Sequence, residues 1–137
     1  MIVPLLKGLA FTLKQFFSRP ITIQYPEEKR PPAKRWRGIQ YFERDEEGRP
    51  KCVACGLCMA VCPSQCISIV TAEDPEGRRY PLSYELDALR CIFCGYCEEA
   101  CPVNAIFVGK NYEWVERSRA PFLMNTERLL EEKRNNL

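Results

Sequence analysis

Nine of the 137 residues are cysteines, and eight of them fall into two groups with identical spacing. The two groups are Cys52, Cys55, Cys58 and Cys62, followed by Cys91, Cys94, Cys97 and Cys101. Each group reads C-x2-C-x2-C-x3-C-P, the spacing with which bacterial iron–sulfur proteins ligate [4Fe-4S] clusters. Three thiolates of one loop can reach three irons of a cube, while the fourth cysteine, one helical turn later, ligates the other cube.

This pattern predicts two [4Fe-4S] clusters that exchange their fourth ligands. The first cluster would be held by Cys52, Cys55, Cys58 and Cys101, and the second by Cys91, Cys94, Cys97 and Cys62. The four-residue step between the last two cysteines of one motif is a helical rise of roughly 6 Å, which places the cluster centres on the order of 10 Å apart. Electrons tunnel rapidly over such a distance. We therefore expect electron transfer with no catalytic acid, base or nucleophile.

Zinc is the main alternative for a chain this rich in cysteine. Zinc sites usually use two C-x2-4-C pairs that converge on one ion, so the third cysteine of each loop would be redundant. The chain has no histidine, which excludes Ser-His-Asp triads, Cys2His2 fingers, Rieske centres and His-ligated haem. The odd cysteine count and the lack of a visible secretory signal argue against a complete disulfide framework and favour a reducing compartment.

Several residues near the ligands have predicted supporting roles. Gly56 and Gly95 let the backbone approach the clusters. Cys66, which has no ligand partner, is expected to be a buried structural thiol near a cluster. Glu98 and Glu99 are candidates for lowering the potential of the second cluster, with a solvated helix face as the alternative interpretation.

An internal repeat must position these ligands. Residues 52–69 align with residues 91–108 at an offset of 39, and 7 of the 18 positions are identical. Each half predicts a cysteine loop, a short helix ending near Pro63 or Pro102, and a short β-branched strand. We therefore predict an α+β, ferredoxin-like fold with duplicated cluster-binding halves in residues 51–109.

The remainder of this region and the tail have simpler signals. Residues 71–79 are polar and rich in turn formers, and a strand is expected near 80–86. The C-terminal tail, 110–137, is expected to be helical, because Asn125 is placed to cap a helix over about 126–135.

Residues 1–18 are apolar but interrupted by Lys7 and Lys14. Apolar side chains recur at helical spacing on the opposite side of the predicted helix. The uninterrupted apolar runs are shorter than the ~18–20 residues that a bilayer span needs. We predict an amphipathic helix that lies on a membrane or in a partner's groove, rather than one packed on its own domain.

Residues 19–50 form a proline-rich arm that is predicted to be extended. Residues 1–50 hold 10 basic and 6 acidic side chains, whereas residues 51–109 hold 4 and 7. The basic run 29–37, with Trp36 as a stacking platform, could be interpreted as a nucleic-acid patch. A strap across neighbouring subunits explains the prolines as well as the charge, so no nucleic-acid partner is expected.

Beyond the cysteine motifs, the sequence resembles subunit I of NADH–quinone oxidoreductase, the two-cluster ferredoxin-like subunit in the peripheral arm of respiratory complex I. The similarity runs nearly end to end. Its most specific part is PITIQYPEEK (20–29), preceded by TLKQFF (12–17). The step Arg37–Gly38 and both cysteine motifs also match, and the TERLL run (126–130) matches more weakly.

This resemblance implies a place in a chain of clusters. The subunit would receive electrons from the large cluster-bearing subunit and hand them to the last cluster beside the quinone site. Its partners would be the other peripheral-arm subunits and the membrane-embedded quinone-chamber subunit, against which residues 1–18 would lie at the membrane surface. By the same resemblance the first ligand set holds the upstream cluster. The expected location is peripheral, on the cytoplasmic face of the inner membrane of a prokaryote.

Two other functions remain open. A diffusible ferredoxin would usually present an acidic surface for electrostatic steering, and an apolar helix with a basic arm would be a liability for it. The equivalent subunit of a membrane-bound hydrogenase, or of a complex using reduced ferredoxin or a deazaflavin, shares most of the motifs.

Overall fold

A computed structural model describes residues 2–133, and the chain divides into two units, Met1–Pro31 and Pro32–Leu137. The first unit contains one helix, α1 (Ile2–Phe16). None of the residues of α1 is buried, and Phe16 and Phe17 are 79% and 77% exposed. Across residues 2–133, no helix combines the length and the apolar character that crossing a bilayer demands.

The second unit mixes short helices and strands. In chain order it contains β1 (Gln40–Phe42), α2 (Leu57–Val61), β2 (Ile67–Glu73), β3 (Arg79–Asp87), α3 (Tyr96–Glu99), β4 (Ile106–Val108), a 3-10 turn (Ala120–Phe122), β5 (Leu123–Asn125) and α4 (Thr126–Glu132). Each half of the repeat thus runs from a cysteine loop to a short helix and then a strand. This prediction is confirmed, and so is the mixed helix-and-sheet class.

Two antiparallel sheets support the cysteine loops. The first has two strands, β1 and β4, with Gln40 opposite Val108. The second has the order β2-β3-β5, and Leu86 of its central strand lies opposite both Ile67 and Met124. Because alternate residues of a strand face the same side, each short strand delivers only one or two side chains to the core.

The core is small and is shared with the cysteines. Its aromatic centre is an edge-to-face pair between Phe42 of β1 and Tyr84 of β3, with ring centroids 4.7 Å apart. Leu129 of α4 is fully buried beside them in the same cluster. The Asn125 side chain accepts a hydrogen bond from the Arg128 backbone N–H at 2.9 Å, so the predicted cap is confirmed. The predicted end of this helix, residues 134 and 135, lies outside the described residues.

Two elements differ from the sequence prediction. No strand was expected in residues 19–50, yet β1 forms there because β4, more than sixty residues later, supplies its partner. The connection predicted over 71–79 is shorter, because β2 continues through Glu73 and β3 begins at Arg79. Asp74 tightens the turn by accepting from the backbone N–H of Arg78 at 2.8 Å.

Candidate iron–sulfur centres

The first cavity brings together one of the two predicted ligand sets. Its cysteines are Cys52, Cys55, Cys58 and Cys101. The last of these comes from the second motif and the other three from the first. The remaining lining is almost entirely apolar and includes Phe42, Ile69 and Ile106.

The second cavity brings together the other set. Its cysteines are Cys62, Cys91, Cys94 and Cys97, and the ninth cysteine, Cys66, also lines it. Here the one ligand candidate from the first motif is Cys62. Each cavity therefore draws three thiols from one motif and a fourth from the other.

Left-handed backbone turns shape both cysteine loops. The two short helices follow Gly56 and Gly95, whose φ angles are 79° and 83°. Ala54 and Phe93, two positions that the repeat aligns, also have positive φ, at 49° and 53°. Such conformations are unfavourable for residues with a Cβ and tend to persist at functional sites. The duplicated strain indicates that both loops are shaped for the same task.

These turns direct backbone N–H groups at cysteine sulfurs. The N–H of Ala54 points at Cys52 Sγ at 3.4 Å, and that of Phe93 points at Cys91 Sγ at 3.3 Å. The N–H of Ala105 lies 3.1 Å from Cys101 Sγ. Donors of this kind offset the negative charge of thiolates and are one of the means by which a protein sets a cluster's potential.

Burial opposes the ionisation of three of the cysteine thiols, those of Cys52, Cys58 and Cys97. Desolvation raises the pKa of Cys52 to about 11 and that of Cys97 to about 12. Burial likewise raises the pKa of Cys58. A bound metal reverses this balance, because a coordinating thiol is deprotonated outright. Iron binding would therefore overcome the effect of burial at Cys52, Cys58 and Cys97.

Cys66 is buried, as predicted, at 6% exposure, and its Sγ lies 3.5 Å from Cys62 Sγ. Desolvation raises the pKa of Cys66 to about 12. Desolvation opposes ionisation of Cys62 as well, but hydrogen bonds with Ser64 and Cys66 outweigh it and lower the Cys62 pKa. The protonated thiol of Cys66 is thus placed to donate to the Cys62 sulfur.

The donor set fits a cubane cluster. Within residues 2–133, no three Cys, Asp or Glu side chains form a group that could hold a single metal ion. A [4Fe-4S] cluster does not need such convergence, because each of its irons takes one thiolate. When bound, the clusters supply the one-electron chemistry, and the chain supplies ligands, spacing and hydrogen bonds.

Sequence reasoning missed two polar side chains at the cavities. Gln40 Nε2 lies 3.0 Å from Cys91 Sγ, and the hydroxyl of Tyr84 lies 3.7 Å from Cys58 Sγ. The alternation of inward residues in the strand predicted near 80–86 could have indicated Tyr84, whose side chain faces the same way as Leu86. Gln40 had no such signal, since its strand was not expected.

The glutamates proposed to tune the second cluster make other contacts. Glu98 Oε2 accepts a hydrogen bond from the Val108 backbone N–H at 3.1 Å. Glu99 is exposed, and its Oε1 lies 3.6 Å from Nη2 of Arg37. Neither Glu98 nor Glu99 is among the described residues that line the two cysteine cavities. Their effect on a potential stays a prediction.

Comparison with known proteins agrees with this geometry. Residues 51–113 match the 4Fe-4S dicluster domain family. NADH-quinone oxidoreductase subunit I 2 of Geobacter metallireducens is 46% identical over 131 residues, which cover 96% of this chain and 99% of the relative. Subunit I 1 of Geobacter sulfurreducens is 46% identical over 133 residues, covering 97% and 100%. The chain belongs to the NADH–quinone oxidoreductase subunit I family.

Subunit I relatives extend beyond these two proteins. Subunit I 2 of Rhizobium meliloti is 48% identical over 127 residues, which cover 92% of this chain and 68% of the relative. Among solved structures, a chain of the membrane-bound sulfane sulfur reductase, an archaeal respiratory membrane complex, matches with a TM-score of 0.57 and 28% identity. The match covers 91% of this chain, which spans 64% of the length of that one. The resemblance to subunit I and the presence of two [4Fe-4S] clusters are confirmed.

Proposed function

We propose that this chain relays electrons between two [4Fe-4S] clusters as a fixed, non-catalytic subunit of a membrane-bound NADH–quinone oxidoreductase. The exchange of fourth cysteines between the two cavities is the observation that carries the proposal. Cys58 lines the first cavity and Cys62 the second, although both belong to the same motif. One short helix thus joins the two centres at a fixed separation, as an electron relay requires.

The proposed ligands follow the two cavities. The first cluster is held by Cys52, Cys55, Cys58 and Cys101, and the second by Cys91, Cys94, Cys97 and Cys62. By similarity to subunit I, the first cluster accepts electrons from the upstream cluster-bearing subunit. The second passes them towards the terminal cluster at the quinone site.

The first unit is proposed to dock the subunit at the membrane. The apolar side chains of α1 are exposed along the whole helix, as at Leu5, Leu9 and Phe16, while Lys7 and Lys14 provide positive charge on its other side. A continuous apolar face with flanking lysines suits the surface of an anionic bilayer. We place it on the cytoplasmic face of the membrane, next to the membrane-embedded quinone-chamber subunit.

We propose a separate role for each of four segments of the chain. Residues 1–18 dock, residues 19–50 form the strap, residues 51–109 hold the clusters, and residues 110–137 form the tail. No described residue has a role in acid–base or covalent chemistry in this proposal.

Affinity purification of the tagged full chain from gently solubilised membranes tests the proposal. We expect co-purification of a flavin- and NADH-binding subunit and reduction of the clusters by NADH. A chain that runs as a soluble monomer in cell extract would refute the fixed-subunit assignment and favour a diffusible ferredoxin.

A second candidate is the equivalent relay subunit of another respiratory membrane complex, such as a membrane-bound hydrogenase or a complex fed by reduced ferredoxin or a deazaflavin. The structural match to a chain of the sulfane sulfur reductase supports it. The same purification separates the two candidates. A nickel-binding large subunit in place of the flavin- and NADH-binding one would select the hydrogenase.

A further inference from the structure

Gln40 is a polar side chain in an otherwise apolar position. It belongs to β1, its exposure is 1%, and it lines the second cavity. Phe42, the other inward residue of β1, lines the first cavity. A strand position of this kind is normally apolar, because burying an amide costs stability unless both of its ends are hydrogen-bonded.

The amide of Gln40 is satisfied at one end only. Its Nε2 lies 3.0 Å from Cys91 Sγ, whereas its Oε1 has no hydrogen-bond partner among the described residues. A thiolate can only accept hydrogen bonds, so the amide must present its N–H side to that sulfur. The buried oxygen left without a partner weakens the fold, so stability alone does not account for this side chain.

We infer that Gln40 is a positioning residue that raises the reduction potential of the second cluster by donating a hydrogen bond to the Cys91 sulfur. This inference rests on the proposed ligation of the second cluster by Cys91. Reduction adds one electron to a cluster and increases the negative charge on its thiolate sulfurs. A donor fixed at a sulfur therefore stabilises the reduced form more than the oxidised form.

The environment strengthens this effect. The wall of the second cavity includes Ile67 and Leu86, which are buried and shield the amide of Gln40 from water. A hydrogen bond in such a low-dielectric setting is electrostatically stronger than the same bond in water. The Phe93 backbone N–H donates to the same sulfur, and Gln40 adds a side-chain donor that a substitution can remove.

The test is a redox titration of the full chain, purified without oxygen and followed by paramagnetic resonance, for the wild type and for Gln40→Met and Gln40→Leu. Both substitutions remove the donor, and Met keeps the length of the side chain. We expect a lower midpoint potential for the second cluster alone. At a fixed applied potential its reduced-to-oxidised ratio should fall on the order of tenfold in both variants, the size expected for one lost charge-assisted hydrogen bond.

Iron and sulfide contents separate the possible outcomes. If both variants keep two clusters and neither potential moves, the inference is wrong. If both variants lose the second cluster and keep the first, Gln40 is a structural residue and the inference is equally wrong. A wild-type chain that never assembles a second cubane would instead refute the proposed ligation itself.

Discussion

Cys58 and Cys62 lie one helical turn apart, yet their side chains line different cavities. Cys58 is inside α2, whereas Cys62 is its C-cap and has already left the helix, with φ −69° and ψ 112°. The sulfur of Cys62 contacts Cys66 at 3.5 Å, and that of Cys58 contacts Tyr84 at 3.7 Å. The end of one five-residue helix thus separates the two centres and connects them.

The exchange of fourth ligands predicts which cluster each substitution removes. Cys101→Ala should abolish the first cluster although Cys101 belongs to the second motif, so iron should fall from about eight to about four per chain. Paramagnetic resonance and chemical analysis of iron and sulfide measure this. Cys66→Ala is the matched control and should keep both clusters. Loss of the second cluster in Cys101→Ala would show that each motif ligates its own cube.

The hydroxyl of Tyr84 should tune the first cluster. Burial raises the pKa of Tyr84 well above its ordinary value, so the hydroxyl keeps its proton and can donate to Cys58. Tyr84→Phe keeps the ring against Phe42 and should cost about 1 kcal/mol of unfolding free energy. It should lower the midpoint potential of the first cluster only. A redox titration in which the second cluster shifts instead would contradict this assignment.

Glu98 and Glu99 should differ in their effect on stability. The Glu98 carboxylate accepts a hydrogen bond from the Val108 backbone N–H. Glu98→Ala should therefore lower the free energy of unfolding by about 1 kcal/mol. Glu99 makes an exposed ion pair with Arg37. Glu99→Ala should therefore lower the free energy of unfolding by only about 0–0.5 kcal/mol. Thermal unfolding of the loaded chain measures both. The glutamine variants test the tuning hypothesis: a higher potential of the second cluster would support it, and unchanged potentials would remove it.

The turn at Asp74 should stabilise the hairpin of β2 and β3 equally at neutral and mildly acidic pH. Hydrogen bonding from the Arg78 backbone is the main cause that lowers the pKa of Asp74. A carboxyl with a lowered folded-state pKa contributes stability above its unfolded-state pKa and loses it as the pH falls through the folded value. Asp74→Ala should therefore melt at a lower temperature than the wild type by the same margin at about pH 6 and about pH 8. A margin that shrinks between these values would contradict the prediction.

Membrane docking through α1 should depend on its apolar face. Leu9→Glu places a charge among the exposed apolar residues and should move the chain from the membrane fraction to the soluble fraction. Gln15→Glu adds the same charge on the side of Lys14 and should leave the distribution unchanged. Flotation with anionic vesicles quantifies both variants. Equal binding of the two variants would show that the apolar face is not the docking surface.

The sequence alone predicts a complete set of ligands, whereas it does not predict the side chains that surround them. Cys52 and Cys91 are predicted as ligands because cluster ligation imposes a fixed local spacing on the chain. The side-chain partners of Cys91 and Cys58, which are Gln40 and Tyr84, depend on long-range pairing. Gln40 reaches Cys91, 51 residues later, only because β1 pairs with β4. Its proline-rich neighbourhood indicated extended chain, and a three-residue strand is too short to show a period of two.

The strand β1 contributes to the walls of both cysteine cavities. Gln40 and Phe42, two residues apart, form part of the walls of different cavities. A slip of β1 by a single residue would turn its inward side chains outward and bring Tyr41 in their place. Both cavity walls would then be disrupted together. Assembly of either cluster therefore requires that β1 pairs in the correct register.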